Sequence, residues 1–209
     1  MACAGESPAW GAQNPHVNAT AAINPHAEIE RLRAEVEALR AQTQALEKRA
    51  AAAEAAADHD VLTSALNRRG MVAVLNRTMA FCKRYEATAV LLYLDLDGFK
   101  SVNDSLGHAA GDAALVHVAN VLLANSRAAD AVGRMGGDEF AVMLLNASLD
   151  EGRDKARKLN EVLAEGFDWQ GGKAPLGGSF GVRAWADHDD AEVWLAEADA
   201  AMWVRKRAR

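Results

Sequence analysis

Four acids in two short stretches have the types and spacing to act together. In "LYLDLDGF", Asp95 and Asp97 stand two apart at the end of an apolar run. In "VGRMGGDEFAVMLL", Asp138 and Glu139 follow Gly136 and Gly137, between segments that read as buried strand. Strand alternation puts Asp95 and Asp97 on one face. Two carboxylates there repel each other unless water solvates them or a cation bridges them. Gly136-Gly137 suits a two-residue hairpin turn whose centre needs positive φ. Asp138 and Glu139 then begin the returning strand and point to opposite faces, so one of them can face Asp95. Asp95 with Asp138 is the natural pair for Mg²⁺, which takes one or two carboxylates and leaves its other positions to water and phosphate. Acids at strand ends also serve as solvated turn residues, and the pattern by itself leaves both readings open.

Helices and strands must alternate to hold these stretches. Leu66 to Arg84 reads as an amphipathic helix, and "ATAVLLYLDLD" as a strand buried on both faces. "GFKSVNDSLGH" is a polar connection with a short helix, and "GDAALVHVANVLLANSR" a helix with Leu115, Val118, Ala119 and Leu122 on one face. After the hairpin come a charged helix near 150 to 165, a strand at "GGSFGVRAW" and a last helix from about Ala191 into "VRKRAR". This order, with an antiparallel pair at the hairpin, predicts an α/β (α+β) fold, a central sheet covered by helices.

Composition excludes several classes. The chain has 209 residues, 50% hydrophobic and 25% charged, which suits one soluble domain plus an extension. A net charge of −6 argues against a partner that is a nucleic acid polymer. Cys3 and Cys82 are too far apart in sequence for a disulfide framework or a zinc knuckle. The start lacks the basic and apolar regions of a secretory signal, and "AVLLYL" is too short to span a bilayer. The expected location is cytoplasmic, and residues 1–25 read as a flexible tail.

Residues 26–58 carry a heptad. Ile29, Leu32, Val36, Leu39, Thr43, Leu46, Ala50, Ala53 and Ala57 recur at alternating spacings of three and four. Ile and Val at a with Leu at d favour a parallel two-stranded coil. Glu28 to Arg33, Glu35 to Arg40 and Arg49 to Glu54 form opposite-sign pairs across such a homodimer. The competing reading is a single solvated helix, because Ala, Glu, Arg and Leu are good helix formers.

"GGDEF" at 136–140, "DLDGFKSVNDSLGHAAGD" at 95–112 and "DVLTSALNRR" at 60–69 together resemble the diguanylate cyclase, or GGDEF domain, family. The likeness runs from about Asp60 to the C-terminus, which makes 60–209 the expected domain. The resemblance implies a central mostly antiparallel sheet flanked by helices, related to the palm of nucleotide cyclases and polymerases. It implies that two GTP molecules condense to cyclic di-GMP and two pyrophosphates in a coiled-coil-linked homodimer, with the product as inhibitor. An alternative is a catalytically silent signalling module that binds GTP or cyclic di-GMP and relays it to a partner; an upstream protein regulator fits either.

By the same resemblance, Asp95, the carbonyl of Leu96 and Asp138 would hold Mg²⁺, with Mn²⁺ as a substitute. Asp138 would also take the proton of the attacking hydroxyl, and Lys100 would stabilise charge on the transferring phosphate. The amides around Phe99 and Lys100 suit a phosphate cradle. Asn103 and Asp112 match the positions that read guanine, with His108 beside them; as isolated residues they could equally cap the two helices they adjoin. Lys206 would contact phosphate, and Glu139, Gly136 and Gly137 would support the turn. Arg127 and Asp130 match the R-x-x-D product site, although this spacing also makes ordinary surface ion pairs. The chain departs from the family pattern at Ser64 and Met135, where glycine and tyrosine are usual. It also reaches Arg209 before the usual glycine-arginine-asparagine segment, so that either Arg205, Arg207 or Arg209 substitutes as a phosphate ligand or the grip on the triphosphate is weaker.

Overall fold

The computed structural model describes residues 25–207, so the expected tail at 1–25 and the candidate Arg209 lie outside the described residues except for Pro25. The chain divides into two units, Met1–Arg49 and Ala50–Arg209. Helix α1 (Pro25–Ala57) dominates the first. Within it Arg31 pairs with Glu28, Arg33 with Glu30 and Arg40 with Glu37, each one helical turn away. Ile29, Leu32, Val36, Leu39 and Leu46 are 44–55% exposed, so the predicted heptad stripe is uncovered in a single chain.

The second unit is built from α2 (Arg68–Tyr85), β1 (Ala89–Leu96), α3 (Phe99–Leu106), α4 (His108–Ala124), β2 (Ala131–Gly136) and β3 (Glu139–Leu145). It continues with α5 (Leu149–Ala164), β4 (Phe167–Trp169), β5 (Gly172–Ala174), β6 (Gly178–Ala184) and α6 (Ala191–Arg207). Four strands form one antiparallel sheet in the order β2-β3-β1-β6, and β4-β5 is a separate small hairpin. The sheet flanked by helices is the architecture that the order of elements predicts, and its antiparallel pairing is what the family resemblance implies; the β4-β5 hairpin has no counterpart in the sequence reading.

Strand β1 is apolar on both sides because both are covered. Val90, Leu92, Leu94 and Leu96 join Leu115, Val118 and Leu122 of α4 and Leu159 and Leu163 of α5 in one core. Leu91 and Tyr93 join Met71 and Leu75 of α2 and Trp194, Leu195 and Met202 of α6 in the other. Each fully buried side chain of this size contributes about 1.5–3 kcal/mol. Met135, the departure from tyrosine, is buried in this second core. Helix α6 lies so near β6 that a Cβ on Gly181 would come within 2.0 Å of the Ala198 carbonyl oxygen. That close approach brings the basic end of α6 over the end of β1.

Candidate active site

The two acidic stretches meet at one end of the sheet. Asp95 sits opposite Glu139 on one side and Ser179 on the other. The Leu96 amide donates to the Asp138 carbonyl at 3.3 Å, which seats the hairpin turn against the end of β1. The turn is one residue later than expected. Gly136 pairs with Glu139, leaving Gly137 and Asp138 at the centre. Gly137 has φ +46 while Asp138 is not among the described residues with positive φ, the pattern of a type II′ turn with glycine first. This corrects the alternation argument. Asp138 belongs to the turn and not to the strand, and Glu139, as the register partner of Asp95, shares its face.

The electrostatics of the cluster follow from this crowding. Burial raises the Asp138 pKa and the Asp95 charge adds to it, against the pull of Lys206 and Arg134. Burial also raises Glu139, as do Asp199, Asp95 and Asp138, although a hydrogen bond from the Tyr93 hydroxyl at 3.1 Å opposes the rise. The Lys206 ammonium pairs with Asp95. Burial by itself would lower the Lys206 pKa, but Asp95, with Asp97 and Asp138, outweighs burial and raises it. The donor set, carboxylates and a backbone carbonyl, has the hard-oxygen chemistry that Mg²⁺ takes. Among the described residues no group of three or more His, Cys, Asp or Glu side chains is arranged to hold a metal ion. A hard cation here would rest on Asp95, Asp138 and the Leu96 carbonyl, with water and phosphate completing its shell.

Residues outside the expected set hold the turn. The Arg134 guanidinium donates to the Gly137 carbonyl from Nε (3.0 Å) and Nη2 (2.8 Å), and to Asp60 from Nη1 at 3.2 and 3.3 Å. Asp60 also accepts from the Thr63 amide and hydroxyl, both at 2.8 Å. Asn67 closes the same segment, donating to the carbonyls of Ala57 and His59 and accepting from the Gly70 amide as the N-cap of α2. The available signal for Arg134 was an arginine two residues before the glycines, inside an otherwise apolar strand.

The candidate base-reading residues come together between α3 and α4. Neither is a cap: Gly98 and Gly107 occupy the N-cap positions, Asn103 lies within α3 and Asp112 follows the first turn of α4. A Cβ on Gly111 would stand 2.1 Å from Asn103 Oδ1, so the glycine that precedes Asp112 makes room for the Asn103 amide. Asp112, His108 and Lys100 are exposed, while Phe99 is half-buried at the start of α3. Arg127 and Asp130 lie in the loop before β2, and no ion pair joins their side chains among the described residues. Asp130 instead accepts from the Arg127 amide at 2.8 Å and the Leu145 amide at 3.3 Å. Of the substitute arginines, Arg207 lies over the Trp203 ring, 5.8 Å from its centroid. Arg205 lines a cavity of about 510 Å³ with Arg153, Arg157 and Asn160.

Residues 57–209 match the family described as diguanylate cyclase, GGDEF domain. The chain belongs to that family. The GGDEF domain is 36% identical over 156 residues to the diguanylate cyclase TpbB of Pseudomonas aeruginosa, covering 72% of this chain and 35% of TpbB. Among solved structures it resembles a sensory box/GGDEF family protein of Caulobacter crescentus, with a TM-score of 0.69 at 33% identity over 73% of this chain and 99% of that one. The coiled coil and GGDEF domain of DgcB from Caulobacter crescentus gives a TM-score of 0.74 at 23% identity, over 85% of this chain and 95% of that one. At that identity the likeness concerns the fold, a GGDEF domain preceded by a long helix. The matched region spans between 14% and 35% of the length of the first curated relatives. No described helix is long and apolar enough to cross a membrane.

Proposed function

We propose that this GGDEF domain is an active diguanylate cyclase that condenses two GTP molecules into cyclic di-GMP and two pyrophosphates. The observation that carries this reading is the convergence of Asp95, Asp138 and Lys206 at one sheet end, beside α3 with Lys100 and Asn103. In each half-reaction the 3′-oxygen of one nucleotide attacks the α-phosphorus of the other, the P–O bond to pyrophosphate breaks, and the hydroxyl proton passes to Asp138. Asp95, Asp138 and the Leu96 carbonyl would hold Mg²⁺ or Mn²⁺, which would supply positive charge to neutralise the phosphates. Lys100 and Lys206 supply further positive charge, and the first amides of α3 receive phosphate oxygens. Asn103 and Asp112 read guanine: a carboxylate accepts from its N1–H and amino group and repels the acceptor N1 of adenine.

Each domain offers one site, so the reaction needs two domains facing each other. A parallel coil of two α1 helices buries the exposed stripe of Ile29, Leu32, Val36, Leu39 and Leu46 and raises the effective concentration of the second domain. Arg127 and Asp130 form the product site, with the Arg127 side chain directed by a loop that Asp130 ties down.

The decisive test is incubation of the dimeric protein with GTP and Mg²⁺, with chromatographic separation of nucleotides and Asp138→Ala as control. Cyclic di-GMP from the parent protein alone supports the enzyme. Cyclic di-GMP binding without synthesis would select the silent signalling module.

A further inference from the structure

Ser179 is 2% exposed, one of three buried polar residues among those described. It is the cross-strand partner of Asp95, yet its hydroxyl donates to Asp97 Oδ1 at 2.9 Å. The Asp97 amide in turn donates to the Gly177 carbonyl at 2.9 Å. Two hydrogen bonds thus tie the start of β6 to the residue before the turn that opens α3. That turn is abrupt, with Gly98 at φ +74 as N-cap and without a side-chain cap bond. A cavity of about 530 Å³, bounded by Asp97, Gly98, Ser101, Val102 and residues 175–177, adjoins the junction. The two polar ties there supplement the core packing of Val102 and Leu176.

We propose that Ser179 is a positioning residue for nucleotide binding. Through Asp97 it fixes the height and direction of the first turn of α3, and with it the Phe99 and Lys100 groups that meet phosphate. It also divides the two aspartates of "DLD" between separate tasks. Asp97 accepts from a buried hydroxyl, while Asp95 pairs directly with Lys206. Without the hydroxyl, the half-buried Asp97 carboxylate loses one donor and turns toward Lys206, carrying the Gly98 turn with it. This inference rests on the cyclase reading for its choice of ligand, GTP.

The experiment compares the full chain with Ser179→Ala and Ser179→Thr. Binding of α,β-methylene-GTP, which cannot release pyrophosphate, is measured by calorimetry alongside steady-state GTP kinetics, cyclic di-GMP binding and thermal melting. Ser179→Ala should weaken analogue binding and raise KM by about tenfold, the scale of one hydrogen bond to a charged group. Its cyclic di-GMP affinity should match that of the parent, and Ser179→Thr, which keeps the hydroxyl, should restore analogue binding. Unchanged analogue affinity in Ser179→Ala overturns the proposal. So does a loss that threonine fails to recover, or one shared equally by cyclic di-GMP binding. If the parent binds the analogue but makes no product, the cyclase reading falls, and the analogue affinities still decide the role of Ser179.

Discussion

Arg134 grips the backbone carbonyl of Gly137 with two hydrogen bonds, from Nε at 3.0 Å and from Nη2 at 2.8 Å. Its third nitrogen reaches Asp60, 74 residues earlier, so one guanidinium joins the segment before α2 to the hairpin that carries Asp138. Arg134 and Asp60 are only 16% and 17% exposed, which sets this pair apart from the solvated ion pairs of α1 and α5.

Replacing that fork should misplace the turn. Arg134→Lys keeps the charge but cannot donate twice to one carbonyl while reaching Asp60. The expected result is a fall in kcat of about tenfold or more, with cyclic di-GMP affinity retained. Initial rates at saturating GTP test this; a variant as fast as the parent would show that the turn does not depend on the fork.

Asp60 links the same contact to pH. Burial alone would raise its pKa, but hydrogen bonds from Thr63 and Arg134 and the Arg134 charge hold it below the ordinary 3.8. A carboxyl with a depressed folded-state pKa contributes stability above its unfolded value, and that contribution disappears as pH falls through the folded value. Asp60→Asn should therefore be less stable than the parent at neutral pH, by about 1–3 kcal/mol. The gap should narrow once the pH drops below 3.8. Urea unfolding across the acidic range measures both; a gap independent of pH would mean that charge at Asp60 contributes nothing.

Gly111→Ala tests the proposed base-reading pair without replacing either member. The added Cβ would lie 2.1 Å from Asn103 Oδ1, so the amide must move. Affinity for α,β-methylene-GTP should fall by about tenfold, comparable to the loss of one or two good hydrogen bonds. Equal affinity in the variant would show that Asn103 does not contact the nucleotide.

The two members of R-x-x-D should separate under mutation. Arg127→Ala should relieve product inhibition while leaving thermal stability near that of the parent, because its side chain is exposed. Asp130→Ala should relieve inhibition and also lower the melting temperature, because its carboxylate holds two backbone amides. A loss of about 1–3 kcal/mol is expected for the second variant alone. Identical melting of both variants would contradict the tie that Asp130 makes.

Leu39→Lys places a charge in the exposed stripe of α1. Sedimentation should show a shift to monomer, and specific activity should become steeply dependent on protein concentration. A variant that remains dimeric would mean that α1 is not the dimer contact.

Periodicity and motif spacing made most of the architecture legible in advance. The sequence alone placed α2, β1, α4, the hairpin and α6 within a few residues, because amphipathic helices and a doubly buried strand leave local signatures. The short acidic motifs likewise singled out Asp95 and Asp138, which meet at one end of the sheet, while Asn103 and Asp112 were singled out only by the family resemblance. What escaped was governed by partners far away in the chain. Ser179 meets Asp97 across 82 residues, Lys206 meets Asp95 across 111, and Arg134 meets Asp60 across 74. No window of sequence contains both ends of such a contact. The turn was decided by a single residue of register: centred on Gly137 and Asp138, it sets Glu139 opposite Asp95, whereas one residue earlier would have exchanged the faces of the acids. Glycine spacing permits either turn. The choice between them belongs to the tertiary structure, because the Arg134 grip on Gly137 and the Leu96 bond to Asp138 exist only when the strands have met.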